Sequence, residues 1–379
     1  MTSENTLYFV PDSVKQKRRW VTDYVSTLDP ETEYEKIMSI IAMYQQDEAS
    51  MQLFIASSAV HVLMPAYGAE PVLFTNNYIR RPNQRNQNTL TFFWTWFGKG
   101  PSSAEGIEAT KRLNHLHQRI AKHLPGHFEF DSDYIYTLAC FTTIQNRLLK
   151  RLGLPELDPV IKKATYKFFA EICKHIRKGS DTPVEGYPDS FEACEEYCEK
   201  WERWDHRMSV PQQDLIKAFM DQWVAASFPP ALEFIGNWII YFTIPDHILK
   251  HYRLKPTKGF GRFFARNILK LAFIFKSKFA KDQKIPFIER RKQLSKAVLN
   301  KLDAKSRERA DKAGWTKGGH EAVYVTKGGH SISACPVMHG NFDKQRLPPE
   351  LLAKLEKVTE NGRVEYEEFA ENDEFKPVV

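Results

Sequence analysis

Almost everywhere in this chain the apolar residues return at three- and four-residue intervals, and that spacing constrains the fold more than any other feature. It is the mark of amphipathic helices. A strand-like alternation shows only at Glu321–Thr326. The expectation is an all-α protein, a single helical domain whose antiparallel helices pair around a ligand cavity. At 379 residues, 42% apolar and 27% charged, the chain can bury a large core and does not read as disordered.

The periodicity predicts helices over 31–44, 48–63, 103–124, 130–151, 158–177, 188–207, 211–227, 229–251, 260–281 and 286–312. Residues 1–30 read as an arm with helical pieces, 31–313 as the helical domain, and 314–379 as a C-terminal extension, irregular or hairpin-bearing. Residues 68–101 read as irregular, because Asn76-Asn77, Pro82 and Asn83 are turn formers. That segment also holds Arg80, Arg81, Arg85 and Thr89 beside the aromatic run Phe92–Phe97. Such a mixture suits a pocket for a flat, partly anionic ligand, or simply a loop pinned by buried aromatics.

The most informative helix runs through Arg112–Ile120, with Ser103 as its N-cap. Leu113, Leu116, Ile120 and Leu124 form one apolar stripe, and His117 lies inside it. His115 falls about 200° round the helix, among Arg112, Arg119 and Lys122. One imidazole therefore points inward and the other to water. An inward imidazole needs a partner, and a metal is one such partner. His61, on a helix rich in small residues, reads instead as a packed, hydrogen-bonded core histidine.

The formal charge of +7 is uneven: basic residues dominate Lys255–Lys317, and the tail after Glu350 is acidic. A solvated helix face explains the basic stretch; no nucleic-acid partner is expected, and peripheral association with an anionic membrane stays open. Five cysteines, without a secretory signal, read as reduced thiols of an intracellular protein, with Cys194 and Cys198 as core or surface residues rather than zinc ligands. No stretch has the length and apolarity of a membrane span; the closest, Phe228–Ile248, is interrupted by Glu233, Asn237, Pro245 and Asp246. Thr316–His320 recurs as Thr326–His330, with Cys335 and His339 following, but this spacing matches no compact zinc pattern. No phosphate-binding glycine loop is present.

Three features then line up in order. Arg85-Asn86-Gln87-Asn88-Thr89 is followed 28 residues later by His117, in the pattern Leu113-x-x-Leu116-His117-x-x-Ile120, and by the helix Asp131–Leu149. Together they resemble the haem-containing oxygenase family that includes MpaB and the latex clearing protein, over about residues 35–275. The resemblance implies an all-helical domain holding haem b, with its iron activating dioxygen to cleave a C=C bond of a small hydrophobic, isoprenoid substrate. It implies His117 as the iron ligand, and Arg85 and Thr89 beside the haem. It places Glu70 near a catalytic acid and Asn114 one turn before the ligand, among the cofactor-binding residues. The rubber-cleaving member carries Lys where this chain has Asn88 and Arg where it has Asn114, so the chemistry departs there. A backbone carbonyl is the expected acceptor for His117 Nδ1–H. Two alternatives remain: a haem-binding redox or sensor protein without turnover, and a cofactor-free helical protein of the membrane surface.

Overall fold

The computed structural model describes residues 6–314, apart from residues 76, 125, 205, 207–209 and 291–294. Sixteen α-helices and no strand are found among the described residues, so the protein is all-α as the periodicity required. Glu321–Thr326, the Gly-Gly-His repeat with His320 and His330, and Cys335 and His339 lie outside the described residues.

The arm is helical in pieces: a 3-10 turn at Val14–Gln16 and α1 (Trp20–Val25). It packs onto the body, because Trp20 is buried and its indole N–H donates to the Gln283 carbonyl at 3.1 Å. Then follow α2 (Tyr34–Gln45) and α3 (Glu48–Val62), the latter capped by the Asp47 carboxylate, which accepts from Ser50 N–H at 2.8 Å.

The main correction concerns residues 68–101, which are helical rather than irregular. They form α4 (Ala66–Thr75), α5 (Asn77–Arg80) and α6 (Pro82–Lys99). Pro82 breaks nothing, because it opens α6, where an N–H would go unused. Leu90, Phe93, Trp94 and Phe97 recur at helical spacing and are all buried. Asn83, read as a turn former, is consumed by long-range bonds: its Nδ2–H donates to Asp303 Oδ1 at 3.0 Å and its Oδ1 accepts from Gln222 Nε2–H at 3.3 Å.

Helices α7 (Ala104–His123) and α8 (Asp131–Leu152) follow, then α9 (Pro159–His175), α10 (Phe191–Glu202) and α11 (Val210–Ser227). The predicted helix 229–251 is divided by Pro245 into α12 (Glu233–Thr243) and α13 (Asp246–His251). The chain continues through α14 (Gly259–Lys278), α15 (Phe287–Arg290) and α16 (Lys296–Ala313).

Two apolar clusters hold these helices together. Met43, Trp94, Phe97 and Phe168 join α2, α6 and α9. Leu73, Trp223, Ile240 and Tyr252 belong to a second cluster, of α4, α11 and α12 and the turn after α13. Each such side chain contributes about 1.5–3 kcal/mol on burial. The thiols of Cys194 and Cys198 are buried among apolar neighbours, as core rather than metal ligands. Arg147 of α8 makes two 2.6 Å bonds to the buried Glu202 carboxylate of α10, which also accepts from Tyr136 O–H at 3.1 Å.

The corner between α6 and α7 sets the geometry of the cavity. Gly100 takes φ +90°, a left-handed value that favours glycine. A Cβ on Gly106 would sit 2.0 Å from the Gly100 carbonyl oxygen. Only glycine lets the first turn of α7 press against the end of α6. Trp96 Nε1–H then donates to Thr110 Oγ1 at 3.0 Å, fixing one helix on the other.

Candidate active site

Helices α4, α6, α7 and α8, with the end of α3, enclose a cavity of about 360 Å³. That lies within the roughly 300–1,000 Å³ of small-molecule sites. Its walls are mostly apolar, with Phe92, Phe93, Trp96, Leu113, Leu116 and Ile120 prominent. Arg81, Arg85, Asn88, Thr89, His117 and Asp133 supply the polar groups.

Helical phase places the two α7 histidines as the sequence predicts: His115 is exposed, and His117 lines the cavity. Burial, and secondarily the nearby Arg85 charge, push the His117 pKa down to about 4. The imidazole is therefore neutral at ordinary pH, the form that ligates a metal. Phe128 stacks parallel on the ring, with centroids 4.4 Å apart. Phe128 itself adopts φ +62°, which costs about 1–2 kcal/mol for a residue with a Cβ. Two hydrogen bonds to its carbonyl hold it there, from Gly179 N–H at 2.7 Å and Tyr134 O–H at 3.1 Å.

Comparison of the buried histidines separates core from site. His61 Nδ1–H donates to the Ser57 carbonyl at 2.8 Å, the satisfied arrangement expected of it. His127 bonds Leu124 O through Nδ1 at 3.2 Å and Glu70 Oε2 through Nε2 at 2.7 Å. His117 Nδ1 is buried with no hydrogen-bond partner among the described residues. The carbonyl acceptor expected for it is not there.

Arg85 and Thr89 stand one turn apart on α6 and reach the same cavity as His117. Arg85 Nη1–H donates to Thr89 Oγ1, and the Thr89 hydroxyl donates to the Arg85 carbonyl at 3.1 Å. The threonine proton is thus spent within its own helix, while the guanidinium keeps a fixed charge at the wall.

Two predicted residues are not brought to the cavity. Glu70 is buried on the side of α4 away from Pro71 and Val72 and faces His127 instead. Asn114 clasps the end of α9: its Nδ2–H donates to His175 O at 2.9 Å and its Oδ1 accepts from Arg177 N–H at 3.1 Å. Conversely, Phe128, Asp133 and Tyr134 line the site without having been singled out. The predicted start of a helix near residue 130 is the nearest signal, since a helix start beside a cavity presents its first turn there. His127 carried no local signal at all.

The sequence pattern of one protein family, described as "ER-bound oxygenase mpaB/B'/Rubber oxygenase, catalytic domain", matches residues 43–271. The chain belongs to this family. No curated protein matches the sequence. The matched segment contains α3, α4, α6, α7 and α8, the elements that enclose the cavity, so the mpaB/rubber oxygenase pattern covers the whole candidate site. The family is one of oxygenases, whose chemistry joins dioxygen to a substrate.

Proposed function

We propose that the protein is a haem b-dependent oxygenase that cleaves a C=C bond of a hydrophobic, isoprenoid-like substrate, with residues 31–313 as its catalytic domain. The observation that carries this is His117: a neutral imidazole on an apolar cavity, with no hydrogen-bond partner for its buried Nδ1 among the described residues, so that no bond to the described protein holds the ring away from a cofactor in the cavity. One imidazole of this kind is enough to hold a haem iron, and His117 is the residue that would hold it.

When bound, haem supplies the activation of dioxygen. The chain's own residues do the rest. His117, kept unprotonated by burial and by the nearby Arg85 charge, would hold the iron. Arg85 offers a permanent cation to an anionic group such as a propionate. Phe92, Phe93, Trp96, Leu116 and Ile120 exclude water and accept an apolar chain. Thr89 positions the Arg85 guanidinium. Glu70 acts at a distance, by fixing His127 behind α4, and Asn114 by fixing α7 on α9. Neither touches substrate.

Cleavage of R₂C=CR₂ by O₂ leaves one oxygen atom on each carbon, giving two carbonyl products. The test is oxygen uptake by haemin-loaded protein over a panel of isoprenoids in isotopically labelled dioxygen. Label in both carbonyls is the expected result. Haem binding without uptake on any lipid identifies a non-turning haem protein, the reading that Asn88 in the cavity wall favours.

A further inference from the structure

Helix α14 is only half used by the fold. Its buried face is the narrow row Gly261, Ala265 and Leu269, packed against α12 and α8. The opposite face is left uncovered by the described residues. Phe260 is 70% exposed, Phe263 66%, Leu271 65% and Phe275 62%. At 100° per residue these four, with Phe264 and Ile274, fall in a sector about 120° wide. Taking roughly 200 Å² per side chain, their exposed area is on the order of 500 Å². Scattered single hydrophobics need no explanation on a protein surface, but a stripe of this size marks an interaction site. The stripe continues onto α12 through aromatic contacts: Trp238 lies 6.1 Å from Phe260, and the exposed Phe234 packs edge-on to Trp238 at 5.1 Å.

The charge around the stripe identifies its partner. Lys255–Lys281 contains eight Lys and Arg residues and no Asp or Glu. Arg262 is taken up by Asp246, and Lys276 by Asp47. Lys258, Arg266, Lys278 and Lys281 are exposed and form no ion pair among the described residues. A second copy docking on this face would set two basic rims together, whereas an anionic lipid surface matches both the rim and the stripe. None of the described helices is long and apolar enough to cross a membrane, so α14 can lie only along the surface.

We propose that this face of α14 seats the protein on an anionic bilayer, with Phe260, Phe263, Leu271 and Phe275 at the headgroup–acyl boundary and Arg266 and Lys278 against lipid phosphates. The inference is independent of haem, since none of these residues lines the cavity.

The test is co-sedimentation of the full chain with vesicles of phosphatidylcholine alone, and of phosphatidylcholine with phosphatidylserine. The protein pellets with the anionic vesicles, less so as salt rises. Phe263→Glu with Phe275→Glu lowers partitioning at least roughly tenfold. Arg266→Ala and Lys278→Ala lower it about fivefold each. Helical circular dichroism and the haemin spectrum stay unchanged in every variant. Should the Glu pair misfold, Phe263→Ser with Phe275→Ser replaces it. Failure of the wild type to pellet with anionic vesicles overturns the proposal, as does equal pelleting of the Phe variants. A concentration-dependent dimer that the Phe variants abolish, without vesicle binding, overturns it in favour of self-association.

Discussion

Gly106→Ala tests how the α6–α7 corner builds the cavity. The added Cβ meets the Gly100 carbonyl oxygen at 2.0 Å and the Pro101 Cα at 2.9 Å. Both obstacles are backbone, so no rotamer change relieves them. Ordinary overpacking costs about 1–3 kcal/mol. Here relief requires moving α7 away from α6, which also strains the Trp96–Thr110 bond, worth about 1 kcal/mol. The expected loss is therefore about 2–4 kcal/mol. Gly259→Ala is the control. Its Cβ meets nothing within 4 Å, and its φ of +54° makes the cost about 1 kcal/mol. Urea denaturation followed by circular dichroism measures both. Because the same movement separates Arg85 and Thr89 from His117, Gly106→Ala also weakens haemin binding, while Gly259→Ala leaves it intact. A Gly106→Ala protein as stable as the control, with unaltered haemin affinity, refutes the reasoning.

Other outcomes follow from single contacts. Asn114→Ala breaks the clasp on α9 and lowers stability by about 1–3 kcal/mol, yet leaves the position of the haem absorption band unchanged; a shifted band would return Asn114 to the cofactor. Glu70→Ala removes one partner of a buried hydrogen bond and costs about 1–3 kcal/mol, whereas Glu70→Gln, which keeps an oxygen toward His127, costs less; equal melting of the two variants contradicts the pairing. His61 and His117 both have pKa values pushed down to about 4 by burial, against about 6.5 in an unfolded chain. The unfolded state takes up these protons first as pH falls, so stability is lost between about pH 6.5 and 4, and haem bound at His117 steepens the loss. Melting temperatures across that window check it, and a His61→Gln protein with an undiminished slope would sink the assignment for His61.

Local periodicity carried much of the fold. Phase alone put His117 on the cavity and His115 in water, and identified Ser103 as a cap, which its hydroxyl fulfils by accepting from Gly106 N–H at 2.9 Å. What failed to show locally depended on partners far along the chain. Asn83 looked like a turn former because Asp303 and Gln222 cannot be seen from its neighbours. Asn114 sits three residues before His117, about 60° round the helix, enough to turn its amide toward α9 rather than the cavity. Glu70 meets His127 across 57 residues of sequence, a pairing that no spacing rule anticipates. The resemblance pointed to the region that forms the cavity and to His117 within it. Helix phase and tertiary contacts then decided which of its companions reach the cavity.

The most direct measurement is a haemin titration followed by absorption spectroscopy, on the wild type, His117→Ala and His115→Ala. The expected result is a saturable Soret band for the wild type and for His115→Ala, and its loss in His117→Ala, with all three proteins equally helical. An undiminished band in His117→Ala, or loss in His115→Ala alone, would contradict it.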